Sequence, residues 1–299
     1  MGDAEQGALV RRVETSLRGA ERNGRAPLLF RRAWLPESPW AVVLLVHGYA
    51  EHSGRYEELG AWLAERGIAV HAYDQRGHGL SSGVRCHVDA FGDYLDDLDC
   101  VLTAVRDAHR DLPSALVGHS MGGLVVCAYL ADRRPPVQAA ATSGALLMLG
   151  AGVSRARITA ARFLRSLLPR LAMGSGLDLE GLSRDPEVVK RYVEDPLIVR
   201  TMTASLAAEI LTTIPHVAAR AVEVQVPVLM LHGEADPLCP CEGSRAFYGG
   251  LHVPGSAFRS YPGLRHEIFN EPERETIYRD LYAWLQTILA PGRPLAETA

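Results

Sequence analysis

A serine framed by small residues, Gly118-His119-Ser120-Met121-Gly122 with Gly123 behind it, is the feature richest in chemical potential. A nucleophile between a strand and a helix sits on a strained turn that only small neighbours allow. Residues 114–117 read as the strand and 124–130 as the helix, so Ser120 is the candidate nucleophile. A serine hydroxyl at its ordinary pKa needs a base and an acid that orients the base. In a strand–helix series these follow in the order serine, acid, histidine. Asp236 stands in His232-Gly233-Glu234-Ala235-Asp236-Pro237, and His266 in Tyr261-Pro262-Gly263-Leu264-Arg265-His266-Glu267. Both follow strand-like runs, on the rim where open α/β sheets place their sites.

Rival groups read differently. Glu234 shares the Asp236 loop but lies closer to the strand end, which makes it the weaker acid; Glu267 reads as solvated. His47, His119 and His232 end strands, where an imidazole satisfies nearby backbone, and His216 and His252 read as loop residues. Acyl transfer also needs two donors aimed at the developing oxyanion. The backbone N–H of Met121 is one; Tyr49 N–H, in His47-Gly48-Tyr49-Ala50, is the other.

The elements that must position these groups alternate. Strand-like runs cover 41–47, 68–73, 115–119, 138–142, 226–232 and 257–261. Helical patterns cover 56–66, 91–109, 121–132, 241–248 and 273–289, and residues 8–35 read as an antiparallel pair at one sheet edge. Alternation of this kind predicts a mostly parallel central sheet with helices on both faces. From 146 to 216 the pattern is helical with no convincing strand. The expected organisation is a core over 1–145 and 217–299 with an inserted helical cap over 146–216.

Bulk properties bound the function. The 299 residues, 47% hydrophobic with a formal charge of −4, suit one large core and give no basic field for nucleic acid. Five scattered cysteines (Cys86, Cys100, Cys127, Cys239, Cys241) fit a reducing, cytoplasmic setting rather than a disulfide scaffold. Neither a signal peptide nor an apolar stretch of spanning length is read in the chain. Cys239-Pro240-Cys241 lacks the paired spacing of a zinc site, and no nucleotide loop is present, so no metal or cofactor is expected.

Several segments together resemble the monoacylglycerol lipase and lysophospholipase-like group of α/β-hydrolases. They are His47-Gly48-Tyr49-Ala50-Glu51-His52-Ser53-Gly54-Arg55-Tyr56, Asp74-Gln75-Arg76-Gly77-His78-Gly79-Leu80-Ser81, the Ser120 turn, and the Asp236 and His266 loops. The resemblance implies the α/β-hydrolase fold and release of fatty acid from monoacylglycerols under a hydrophobic cap, without a cofactor. Lysophospholipases and carboxylesterases share these motifs. An aminopeptidase of the proline iminopeptidase kind and a non-catalytic receptor on the same fold are the more distant alternatives. The resemblance also places Glu51 and Arg55 near the polar end of the pocket, where a glycerol head would bind, with a solvated or ion-paired loop as the equal alternative, and Cys239 near the site. The run from Asp74 to Ser81 reads as a structural turn.

Within the insertion, Phe163, Leu164, Leu167, Leu168 and Leu171 share one helical face, and Arg162, Arg165 and Arg170 the other. Phe163, Leu164 and Leu167 are the candidate acyl-chain contacts. Packing of this face on the core is the favoured reading, and contact with a membrane or micelle the second. Pro169 should kink or end the helix. The expected partner is a small lipid-like ester; no protein partner is implied.

Overall fold

The computed structural model describes residues 9–22, 24–150 and 155–292. The chain opens on an antiparallel pair, β1 (Arg11–Arg18) and β2 (Leu28–Leu35). Next come β3 (Ala41–Val46), α1 (Glu57–Glu65), β4 (Ile68–Tyr73), α2 (Gly92–Ala108), β5 (Ser114–His119), α3 (Met121–Arg133) and β6 (Ala139–Ser143). The segment before the next sheet strand holds α4 (Arg155–Leu167), β7 (Ala172–Gly174), α5 (Pro186–Glu194), β8 (Thr201–Thr203) and α6 (Ala204–Ala218). The chain then forms β9 (Val228–Gly233), α7 (Cys241–Gly249), β10 (Ala257–Tyr261) and α8 (Arg274–Leu289).

Eight strands form one sheet in the order β1-β2-β4-β3-β5-β6-β9-β10, parallel throughout except at β1 and β2. Side chains alternate between faces along each strand. Val42, Leu44 and Val46 of β3 pack with α2, α3 and α6 through Leu98, Val125 and Leu206. Val43 and Leu45 face the other way, into the layer that holds Leu63 of α1 and Leu285 of α8. Both faces are therefore covered, which explains why the central strands read as unbroken apolar runs. β3 has β4 on one side and β5 on the other, so the winding direction reverses between β3 and β5. A crevice opens beyond the carboxyl ends of strands at such a reversal.

Two readings of the insertion and its border are corrected. β7 and β8 pair antiparallel, Ala172 opposite Thr203, where no strand was expected. Strands of three residues are too short to display a two-residue period. His216 lies inside α6, beside Pro215, and not in a loop. The helix break expected at Pro169 agrees with the end of α4 at Leu167. Among the described residues no helix is long and apolar enough to cross a membrane.

Candidate active site

Ser120 occupies the one-residue turn between β5 and α3 with φ 52° and ψ −118°. A non-glycine residue there is strained, and it persists because its neighbours leave no alternative. A side chain at Gly118 would meet the Gly122 carbonyl oxygen at 2.5 Å; one at Gly122 would meet Val46 O at 2.1 Å. The two glycines thus let α3 close onto the end of β3, beside the loop that carries Tyr49. α3 has no side-chain cap. Among the described residues, no group accepts a hydrogen bond from the N–H of Tyr49 or Met121.

Asp236 and His266 are both buried and joined: His266 Nδ1 lies 2.7 Å from Asp236 Oδ2. The other carboxylate oxygen, Oδ1, accepts the N–H groups of Leu238 at 2.8 Å and Cys239 at 2.9 Å. Burial disfavours the Asp236 carboxylate, but His266, His232 and the Cys239 N–H outweigh it and hold the carboxyl well below its usual range. Burial likewise disfavours the His266 imidazolium, yet the Asp236 carboxylate prevails and raises the ring above its ordinary value. With Nδ1 donating to Asp236, Nε2 is the nitrogen free to accept a proton. Gly144, at φ 54°, lies behind this ring; a side chain there would meet His266 O at 2.9 Å. Glu234 turns outward to the Ser260 hydroxyl, 2.6 Å away.

His232 is marked by the sequence only as a strand-ending residue. It also contacts the acid, with Nε2 3.2 Å from Asp236 Oδ2 and 2.8 Å from Cys239 O. Cys239 lines the cavity together with Ser120, and burial pushes its thiol pKa well above the usual value. Cys239 therefore stays a protonated wall of the site rather than a competing nucleophile.

On the polar flank it is Glu267 that departs from expectation. Glu267, read as solvated, is 3% exposed and binds Arg55 through both oxygens, at 2.6 and 2.7 Å. Glu51 spends Oε1 on the Gly48 N–H and the Tyr56 hydroxyl, and Oε2 on Arg55. The Arg55 guanidinium also stacks over the Tyr192 ring, 4.9 Å from its centroid. Glu51 and Arg55 do border the nucleophile, as Gly48, Tyr49, Glu51, Arg55, Tyr192, Ser120 and His266 share one small chamber. Their charges are nonetheless satisfied inside the protein. Glu267 follows the base directly in sequence, and an acidic residue there, with Arg55 far upstream, was the available signal. In the structural turn, Asp74 accepts from Ser53 and Leu80, while Arg76 reaches α2 and pairs with Asp97.

A second cavity of about 310 Å³ meets the same centre. Tyr49, Ser120, Cys239 and His266 form its floor, and Leu146, Leu149, Ile158, Ala161, Met202, Ile210 and Leu211 are among its walls. Among the described residues no carboxylate lines it. Phe163, Leu164 and Leu167 do not line it either, and Phe163 and Leu167 are 65% and 62% exposed. Helix α4 presents the opposite face inward: Ile158 and Ala161 meet the cavity, and Arg165 pairs with Glu209 of α6 at 2.5 Å. The favoured packing of the leucine face on the core is thereby overturned, with Leu168 and Leu171 exposed as well. Arg165 thus meets a partner on α6 while the apolar stripe faces outward.

Residues 37–273 match the sequence profile of a hydrolase family described as serine aminopeptidase, S33. The chain belongs to that family. Among relatives of this S33 member, a monoacylglycerol lipase of Mycolicibacterium smegmatis is 35% identical over 84% of this chain and 90% of its own length. A phospholipase, YtpA of Bacillus subtilis, is 32% identical over 82% of this chain and 95% of its own. The crystal structure of Paleococcus ferrophilus monoacylglycerol lipase superposes with a TM-score of 0.80 at 33% identity, covering 86% of this chain and 98% of that one. The S33 chain has the α/β-hydrolase fold of these neighbours, and its relatives are carboxylic ester hydrolases.

Proposed function

We propose that this chain is a carboxylic ester hydrolase that releases fatty acid from monoacylglycerols through an acyl-enzyme on Ser120. The observation that carries the reading is the carboxylate-free, largely apolar cavity that ends at Ser120 and His266, beside a small polar chamber on the same centre. An acyl chain fits the first and a short polyol the second.

Ser120 Oγ attacks the ester carbonyl carbon as His266 Nε2 takes the hydroxyl proton. Asp236, bonded to Nδ1, keeps the ring oriented and stabilises its imidazolium. The N–H groups of Tyr49 and Met121 receive the oxyanion. The carbon–oxygen bond to glycerol then breaks, and His266 returns the proton to the departing alcohol. Water, deprotonated by the same ring, cleaves the acyl-enzyme and frees the fatty acid. The sequence is complete without a metal or cofactor.

Residues 146–216 act as the cap over a hydrolase core formed by 1–145 and 217–299. The outward Phe163, Leu167, Leu168 and Leu171 give this cap a face suited to a membrane or micelle surface, from which the substrate enters. Five free cysteines support a cytoplasmic setting.

A lysophospholipase reading has the kinship to a phospholipase in its favour. Aminopeptidase activity is disfavoured despite the family's description, because no carboxylate lines the large cavity and Arg55 already binds Glu51 and Glu267. The test is a hydrolysis panel of monoacylglycerol, diacylglycerol, triacylglycerol, lysophospholipid, acetate esters and aminoacyl amides. Monoacylglycerol should be turned over fastest. Faster cleavage of acetate esters or aminoacyl amides would reject the proposal, and faster lysophospholipid cleavage would install the second reading.

A further inference from the structure

The loop that carries Tyr49 is held by groups that the acyl-transfer steps do not use. His47, just beyond β3, has both ring nitrogens engaged. Its Nε2 lies 2.8 Å from the Gln75 backbone nitrogen. A backbone N–H can only donate, so Nε2 is the unprotonated nitrogen. The ring proton is therefore on Nδ1, which donates to the Gly48 carbonyl at 2.7 Å. Gln75 answers with its side chain, whose Nε2 donates to His47 O at 2.6 Å. Among the described residues its Oε1 is buried without a hydrogen-bond partner. An unpaired acceptor is a cost that leucine would avoid, so the value of this glutamine lies in its donor.

The consequence follows from peptide geometry. Across a trans peptide the C=O and N–H point in opposite directions. Holding Gly48 O against the His47 ring turns the Tyr49 N–H away from that ring. The same peptide lies against the nucleophile, for a side chain at Gly48 would meet Ser120 Cβ at 2.9 Å. Ala50, next in the loop, is held at φ 56°, a left-handed conformation that needs restraint from its surroundings. Glu51 Oε1 supplies a further tie, accepting the Gly48 N–H.

We propose that His47 and Gln75 are positioning residues for the oxyanion donor, clamping the Gly48–Tyr49 peptide so that its N–H is aimed before the tetrahedral intermediate forms. This rests on the reading of Tyr49 N–H as an oxyanion donor to an ester attacked by Ser120. The two residues touch no substrate and act through the backbone between them.

Three variants separate aim from general stability. His47→Asn keeps a donor near the Nδ1 position, His47→Gln keeps an acceptor near the Nε2 position, and Gln75→Leu removes the side-chain tie. Each is measured for kcat and KM on p-nitrophenyl butyrate, per site titrated with a fluorophosphonate, and for inhibition by a trifluoromethyl ketone that forms a tetrahedral adduct. Deleting an oxyanion donor outright costs about 10²–10³ in kcat, so a misaimed one should cost about tenfold or more. His47→Gln and Gln75→Leu should show that loss with KM within about twofold and ketone affinity lowered in proportion to kcat. His47→Asn should recover most of it. Folded variants with wild-type kcat and ketone affinity would overturn the proposal, as would a His47→Asn enzyme no better than His47→Gln. A wild-type protein that the fluorophosphonate does not label would instead sink the Ser120 reading, a failure visible before any variant is made.

Discussion

The three side chains of the proposed triad, Ser120, Asp236 and His266, can each be removed singly. Ser120→Ala should lower kcat by about 10⁵–10⁶ and abolish fluorophosphonate labelling, since base and acid have no substitute nucleophile. The thiol of Cys239 does not take over, because burial keeps it protonated. The pH profile has a definite sign. His266 works as a base only when neutral, and Asp236, prevailing over burial, raises its pKa above the ordinary imidazole value of 6.5. The acid limb of kcat/KM should therefore turn above pH 6.5 and move down in Asp236→Asn. A limb at or below 6.5 in the wild type would contradict the pairing seen at 2.7 Å. On the polar flank, Glu267→Gln leaves Glu51, at 3.2 Å, as the carboxylate still paired with the largely buried Arg55 charge. The expected loss of stability is about 3–5 kcal/mol, read from denaturant midpoints.

Helix α4 carries its own prediction. Its outward face, Phe163 and Leu167, is separate from the cavity wall formed by Ile158 and Ala161. Replacing Phe163 and Leu167 together by serine should weaken binding to phosphatidylcholine vesicles and slow turnover of vesicle-borne monoacylglycerol. Hydrolysis of a dissolved short-chain ester should be unaltered. Equal losses on both substrates would mean that these side chains serve the cavity or the fold, and not a lipid surface. The inward side of α4, Ile158 and Ala161 on the cavity and Arg165 on Glu209, is set against α6, which the periodicity of one helix cannot reveal.

Across the whole molecule, buried neutral histidines set the acid limit of stability. Burial depresses His71 and His78 to about 3 and His119 to about 4, from 6.5 in the unfolded chain. For a histidine lowered in this way, the stabilisation is complete above pH 6.5 and declines as the unfolded chain binds protons that the folded chain refuses. The loss should begin below pH 6.5 and continue to about pH 3, each such proton steepening it by about 1.4 kcal/mol per pH unit. Urea midpoints measured at pH 7.5, 6 and 5 check this. A midpoint that rises on acidification would show that the histidines are not held neutral.

The turns and loops that carry Ser120, Asp236 and His266, and the strand–helix alternation, are legible in the chain because local geometry demands them. A tight turn needs its glycines, a buried strand needs its apolar run, and loops past strand ends stand on one rim. The sequence by itself determined which residues could do the chemistry and in which order the elements carry them. Three further matters were decided only by the tertiary structure: Glu267 is buried on Arg55, 212 residues away; His47 and Gln75 close on each other; α4 turns its leucines outward. Each depends on contacts between different elements: Arg55 with Glu267, the ends of β3 and β4, and α4 with α6. Side-chain type and local spacing fix what a segment can do alone, whereas the pairing of charges and the facing of a helix depend on what lies across the crevice.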